Sequence, residues 1–205
     1  MIPVHIFGIK TEQPYKQIYM RLGYNNYLTE LDESQKNKID GVISKGISCC
    51  ELSGVFINQN ILKNDGEQIG FSSGNIKSRD LSGFLEPYDE VFITGVTAGK
   101  MIIKLRNDCI NKDDIFNSVI FDAVGSEMAE ACIDWIHNFI AKKIRIEGKQ
   151  TGKRRFSPGY GDFGLSNQNF IFNLLEMQKI GVELNSGYIL DPEKSITAII
   201  PVTRG

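Results

Sequence analysis

The sequence predicts an α+β fold with a mainly antiparallel sheet. Strand-like and helix-like segments are mixed along the chain without the regular strand–helix–strand rhythm of a doubly wound parallel sheet. Apolar strand segments lie near the start (1–7), in the middle (Val91–Thr94) and at the end (Ile196–Val202). The 205 residues are 41% hydrophobic and 23% charged, an ordinary globular balance that can bury a core.

Each element has its own local reason. Met1–Phe7 is apolar but has no basic region and no cleavage site, so it reads as a first strand, not a signal peptide. Pro14 starts and Gly23 stops a short helix over 14–22. Ile39, Val42, Ile43, Ile47 and Cys50 recur at helical spacing and predict a helix over 33–51, weakened by Gly41 and Gly46. Val55–Ile57 and Gln68–Phe71 read as short strands separated by a turn at Asn64-Asp65-Gly66. Ser78 caps and Pro87 closes a helical turn over 79–86. Val91–Thr94 runs into Gly95-Val96-Thr97-Ala98-Gly99 and then a helix of about ten residues, the glycines suggesting a turn. Asp113 or Asp114 caps the next helix, expected to reach Ile144 with a break near Gly125. Residues 148–166 form a long irregular stretch rich in Gly, Lys and Arg, of the kind that is functional or disordered in a compact domain. A helix follows over 166–180, capped by Ser166 and ended by Gly181. Ile189-Leu190 and Ile196–Val202 close the sheet.

Composition excludes several function classes. Lys and Arg total 23 against 25 Asp and Glu, a net charge of −2, which disfavours a whole-surface nucleic-acid binder. Two histidines leave little room for histidine acid–base chemistry. Cys49, Cys50, Cys109 and Cys132 have no zinc or cluster spacing; they read as reduced thiols of a cytoplasmic protein. No apolar run approaches the ~20 residues of a membrane span.

Three constellations could carry chemistry. Glu127, Glu130, Asp134 and His137 are spaced to share one helix face, with Met128, Ala131, Cys132, Trp135 and Phe139 opposite. Either this is a solvated helix face or a carboxylate here faces a cleft and holds a cationic ligand group. A metal site is weak, with one histidine available. The second is Lys153-Arg154-Arg155-Phe156-Ser157-Pro158-Gly159-Tyr160-Gly161-Asp162. Pro158 and Gly159 can fix its shape, Arg155 can clamp a carboxylate, and Tyr160 offers a stacking face. The alternative is a basic surface loop. The third, Gly95–Gly99, could bind an anion at a helix N-terminus but is neither a P-loop nor a GxGxxG turn; a plain tight turn explains it as well.

Arg155-Phe156-Ser157-Pro158-Gly159-Tyr160 resembles the Arg-x-x-Pro-Gly-Tyr loop of the activation (reactivation) domain of cobalamin-dependent methionine synthase. Met128-Ala129-Glu130-Ala131 with His137 is similar to the family's Ala-Glu-Ala helix and its later histidine. Ile180–Leu184 and Pro192–Ile196 follow in the family's order, while Arg21–Tyr24 and Asp122–Ser126 look like the free-standing members.

The resemblance implies a bent, mainly antiparallel sheet flanked by helices, with S-adenosylmethionine in a shallow groove. It implies one unit over 1–205, with a more variable part at 1–110 and the ligand loop in 111–205. Arg155 would bind the ligand carboxylate and Glu130 its positive end, the amino group first. Ser157 would contact adenine through its backbone, with Gly159 shaping the loop and Tyr160 lining the adenosine pocket. Cobalamin would come only on a partner, a corrinoid protein or a methionine synthase lacking its own activation domain. The Asp-x-His-x-x-Gly cobalt-ligand pattern is absent from the sequence. An electron donor such as flavodoxin would reduce cob(II)alamin, and the cob(I)alamin formed would take the methyl group. The protein would then need no catalytic acid, base or nucleophile of its own, only proximity and orientation.

Two departures are expected to weaken ligand binding. The family's N-terminal acidic ligand residue has no clear counterpart, and its tyrosine-bearing terminal segment would follow Thr197–Val202, where this chain ends. The alternative expectation is a non-catalytic module that keeps the fold and binds a partner or another small ligand. An ordinary methyltransferase is disfavoured, because no glycine-rich loop follows the first strand.

Overall fold

A computed structural model describes residues 2–24 and 31–204. The chain runs β1 (Val4–Phe7), α1 (Tyr15–Arg21), α2 (Glu33–Ser48), β2 (Ser53–Asn60), β3 (Lys63–Asn64), β4 (Gln68–Phe71), β5 (Gly74–Lys77), α3 (Arg79–Leu85), β6 (Glu90–Thr97), α4 (Lys100–Ile110), α5 (Ile115–Ile144), β7 (Lys149–Thr151), α6 (Gln168–Leu175), β8 (Glu183–Leu184), β9 (Leu190–Asp191) and β10 (Ser195–Arg204).

Five strands form the main sheet in the order β1-β2-β6-β10-β7, every pair antiparallel. This is the α+β class the sequence predicts. Ile93 of β6 lies opposite Ile57 of β2 and Ile199 of β10, which fixes the central register. Side chains alternate across the sheet, so each central strand feeds two cores. Phe56, Phe92, Val96, Ala198 and Ile200 join the helices α2 and α5 on one face. Val55, Ile57, Val91, Ile93 and Ile199 join the small β3-β4-β5 sheet, α3 and α6 on the other.

Local signals placed several boundaries well. Asp32 caps α2 by accepting from the Gln35 N–H at 2.7 Å, and the Gln35 side chain accepts from the Asp32 N–H at 3.2 Å. Ser78 accepts from the Leu81 N–H at the start of α3. Asp114, not Asp113, caps α5.

Four expectations are corrected. Helix α5 is unbroken at Gly125: Ile120, Val124, Met128, Cys132, Ile136, Ile140 and Ile144 bury one continuous stripe, which outweighs the glycine cost of about 1 kcal/mol. A Cβ at Gly125 would stand 3.0 Å from Lys194 Cγ, so the glycine serves close packing. Gly95-Val96-Thr97 is strand, not turn: these residues pair with both β2 and β10. Gly95 is small because Met177 Cε would lie 2.8 Å from a Cβ there. The helix expected over 166–180 is interrupted. Its first turn, Leu165–Asn167, is 3-10 with no side-chain cap from Ser166, and Glu176 adopts a left-handed φ of 51° before a second 3-10 turn, Met177–Ile180. Helix α2 stops at Ser48, leaving Cys50 beyond it.

The short strands near the turn at 64–66 also divide unexpectedly. The turn joins β3 to β4, while β2 belongs to the main sheet. Met1, at the start of the expected first strand, lies outside the described residues.

Candidate functional site

Helix α5 carries the acidic face predicted by the three-and-four spacing, and its members divide among three partners. Arg21 of α1 donates to Glu127 at 2.5 Å. Glu130 and Asp134 face Arg155. His137 shares a hydrogen bond with the Thr151 hydroxyl at 3.0 Å.

The loop after β7 is ordered by its backbone. Gly152 N–H donates to Pro201 O at 2.8 Å. Phe156 and Ile199 exchange both backbone hydrogen bonds, at 3.0 and 2.8 Å, as an isolated antiparallel bridge. Strand alternation then dictates the chemistry. Phe156 turns into the second core, with its ring 5.3 Å from that of Phe84 and 6.0 Å from that of Phe163. Arg155 and Ser157, on either side, line the groove beside α5. Gly159 has φ 98° and donates to Phe163 O at 2.7 Å, so glycine suits this turn. Asp162 pins the far end by accepting from Ser78 Oγ at 2.5 Å and from the Arg79 N–H at 2.8 Å, at the start of α3.

Between α5, β7 and this loop lies an open groove of about 710 Å³. Glu130, Arg155, Ser157 and Tyr160 all line it; Gly159 sits in the loop between Ser157 and Tyr160 and is not among the lining residues. Arg155 Nη1 donates to Asp134 Oδ1 at 2.6 Å, and its Nη2 lies 3.6 Å from Glu130 Oε2. Tyr160 is exposed and meets the Phe156 ring edge-on at 6.4 Å.

The electrostatics follow from this geometry. Burial raises the Glu130 carboxyl above its ordinary value, with Arg155 opposing and Asp134 and Glu127 adding to the rise. Burial and Arg155 lower the His137 pKa, favouring a neutral imidazole. Burial also pushes the Cys50 and Cys132 thiols up to about 12, away from thiolate chemistry. Among the described residues, no group of three or more His, Cys, Asp or Glu is placed to hold a metal ion. The arrangement offers a carboxylate and a guanidinium at ion-pair distance, with an exposed aromatic ring nearby. It suits a zwitterion joined to a flat base.

Asp134 and Asp162 are the residues whose roles sequence reasoning missed. The four-residue step from Glu130 put Asp134 on the right face, but nothing in the spacing revealed that it takes the short bond to Arg155. Asp162 needed the tertiary contact with α3. At the third constellation, Gly99 has φ 85° and its N–H donates to Thr97 Oγ1 at 3.0 Å, as in a plain tight turn.

The family model for the vitamin B12 dependent methionine synthase activation domain matches residues 58–203, which include α5 and the whole 152–162 loop. The chain belongs to this family. Family membership ties it to the activation of vitamin B12 dependent methionine synthase. A solved structure described as the crystal structure of the MetH reactivation domain bound to AdoHcy is similar in fold. It has a TM-score of 0.68 at 15% identity, covering 97% of this chain and 78% of that one. A search of curated proteins finds no match. Among the described residues, no helix of this activation-domain relative is long and apolar enough to cross a membrane.

Proposed function

We propose that this activation-domain chain binds S-adenosylmethionine in the groove between α5 and the 152–162 loop and presents its methyl group to a corrinoid carried by a separate protein. The observation that carries the reading is Arg155 facing Glu130 across the groove. Arg155 has the donors for the ligand carboxylate and Glu130 the acceptors for its ammonium group. The loop backbone near Ser157 and the ring of Tyr160 supply a surface for the adenosine. The partner's corrinoid supplies the cobalt nucleophile. This chain's residues bind and orient the donor. The AdoHcy bound to the MetH reactivation domain supports the ligand class. Residues 1–205 act as a single unit in this reading, since β2 and β6 from the first half and β10 from the second share one sheet. A corrinoid methyltransferase such as methionine synthase is the partner, with flavodoxin or a similar one-electron donor. The cytoplasm, where four free thiols stay reduced, is the compartment that suits it.

Calorimetry with S-adenosylmethionine tests the ligand. Arg155→Ala should weaken binding by about tenfold or more, the effect of removing a charged hydrogen-bond partner. No heat with wild type at millimolar ligand sinks the reading. A cob(II)alamin partner and an electron source test the activity, read as methylcobalamin formed. Equal product without this protein refutes it.

A second reading has one observation in its favour: Arg155 is already paired with two carboxylates. In it, the chain is a partner-binding module that keeps the fold without the ligand. Capture of a corrinoid protein, unaffected by S-adenosylmethionine, would favour it.

A further inference from the structure

We propose that Asp134 is a specificity-determining residue: by competing for Arg155, it makes the groove favour the cationic methyl donor over the neutral thioether left after transfer. The inference rests on the ligand reading above. Arg155 makes its short bond to Asp134, at 2.6 Å, while Glu130 is 3.6 Å away. A ligand carboxylate that takes the guanidinium through Nη1 and Nη2, in two parallel hydrogen bonds, competes with Asp134 for the Nη1 donor. Asp134 then needs a new cationic neighbour or returns to water.

The two ligands differ at this point. In S-adenosylmethionine the carboxylate and ammonium cancel, and the sulfonium leaves one net positive charge. Methyl transfer breaks the sulfur–methyl bond and leaves the electron pair on sulfur, as a neutral thioether. The donor therefore brings a cation that can compensate the released Asp134 carboxylate, and S-adenosylhomocysteine does not. Lys153 and Arg154 also line the groove, but both are solvent-exposed and neither is ion-paired with Asp134 in the structure. The Asp134 side chain is itself 62% exposed, so water moderates the preference. The preference also opposes product retention: the thioether meets a groove in which Asp134 competes for Arg155 with no sulfonium to offset it.

Wild type, Asp134→Asn and Asp134→Glu are titrated calorimetrically with S-adenosylmethionine, S-adenosylhomocysteine and sinefungin, at low and high salt, with circular dichroism as the folding control. Asp134→Asn should tighten both natural ligands and reduce the thioether-to-sulfonium ratio of Kd by about threefold, the scale of an exposed ion pair. Asp134→Glu should restore the ratio, and high salt should shrink the wild-type preference. Sinefungin, with an amine in place of the sulfonium, should follow the charged donor. An unchanged ratio in a folded Asp134→Asn variant that binds both ligands overturns the proposal and leaves the ligand reading intact. So does uniform weakening of both ligands, which would make Asp134 only an orienter of Arg155. If wild type binds neither ligand, the ligand reading itself fails and this inference falls with it.

Discussion

Glu130 sits where burial and neighbouring carboxylates resist its ionisation, and only Arg155 and Arg21 favour it. Its folded-state pKa is therefore raised, so it takes up a proton earlier than an ordinary glutamate as pH falls from neutral. Any stability linked to this shift is present below the unfolded pKa and lost as pH rises through the folded one. Ligand binding has the opposite dependence, because the ammonium group needs the carboxylate. S-adenosylmethionine affinity should fall as pH drops into the range just above the usual glutamate value. Glu130→Gln should bind about tenfold more weakly at neutral pH and lose that pH dependence. Calorimetry across the window checks both, and a variant with the wild-type profile would remove Glu130 from the site. Helical spacing made Glu130 legible, and the Arg-x-x-Pro-Gly-Tyr resemblance made Arg155 legible. The pairing of Arg155 with Asp134 was not, because it depends on where a loop lands 21 residues later.

Elements show where local signals suffice and where packing overrides them. The 152–162 loop had no secondary-structure signature, yet it is held by the Phe156–Ile199 bridge and by Asp162 at α3. Hydrogen bonds from Ser78 and the Arg79 N–H lower the Asp162 pKa, so this anchor should persist to acid pH. Asp162→Ala should free the loop and speed tryptic cleavage at Lys153–Arg155 by about tenfold, since cleavage follows local opening. An unchanged cleavage rate would mean the bridge alone orders it. Glu176 holds a left-handed φ of 51° between α6 and the following 3-10 turn. Glu176→Gly should relieve backbone strain and, after the entropic cost of glycine, raise the melting temperature by about 2 °C. A lower melting temperature would show that its contact with Lys179, at 2.7 Å, matters more than the backbone.

On the scale of the whole molecule, helices and the turn leading into β10 are joined by charge as well as by the two cores. Arg106 of α4 reaches Asp122 of α5 and Glu193, while Lys194 donates to Ser126 at 2.9 Å and pairs with Asp122 at 2.8 Å. Burial would raise the Asp122 pKa, but Lys194 and Arg106 more than offset it and hold it down. With a lowered folded pKa, its stabilisation is present above the unfolded value and lost as pH falls through the folded one. Asp122→Asn should cost about 1 kcal/mol at neutral pH, after allowance for solvent screening, and nothing in acid once the carboxyl is protonated in both states. Chemical denaturation at both pH values measures this. An equal cost at both would assign the effect to packing.

The sequence by itself determined the class of the fold, most helix starts, the acidic face of α5 and the family. These are encoded in short-range signals: periodicity, caps, and residues of fixed spacing within one segment. Tertiary structure decided the rest. Gly95 is strand because β2 and β10 flank it, and Gly125 is helix because its turn is buried along the whole of α5. The groove itself exists because Phe156 pairs with Ile199 and so turns Arg155 toward Asp134 and Glu130. Contacts so distant in sequence are set by the burial of two cores and by backbone pairing, which no local pattern records.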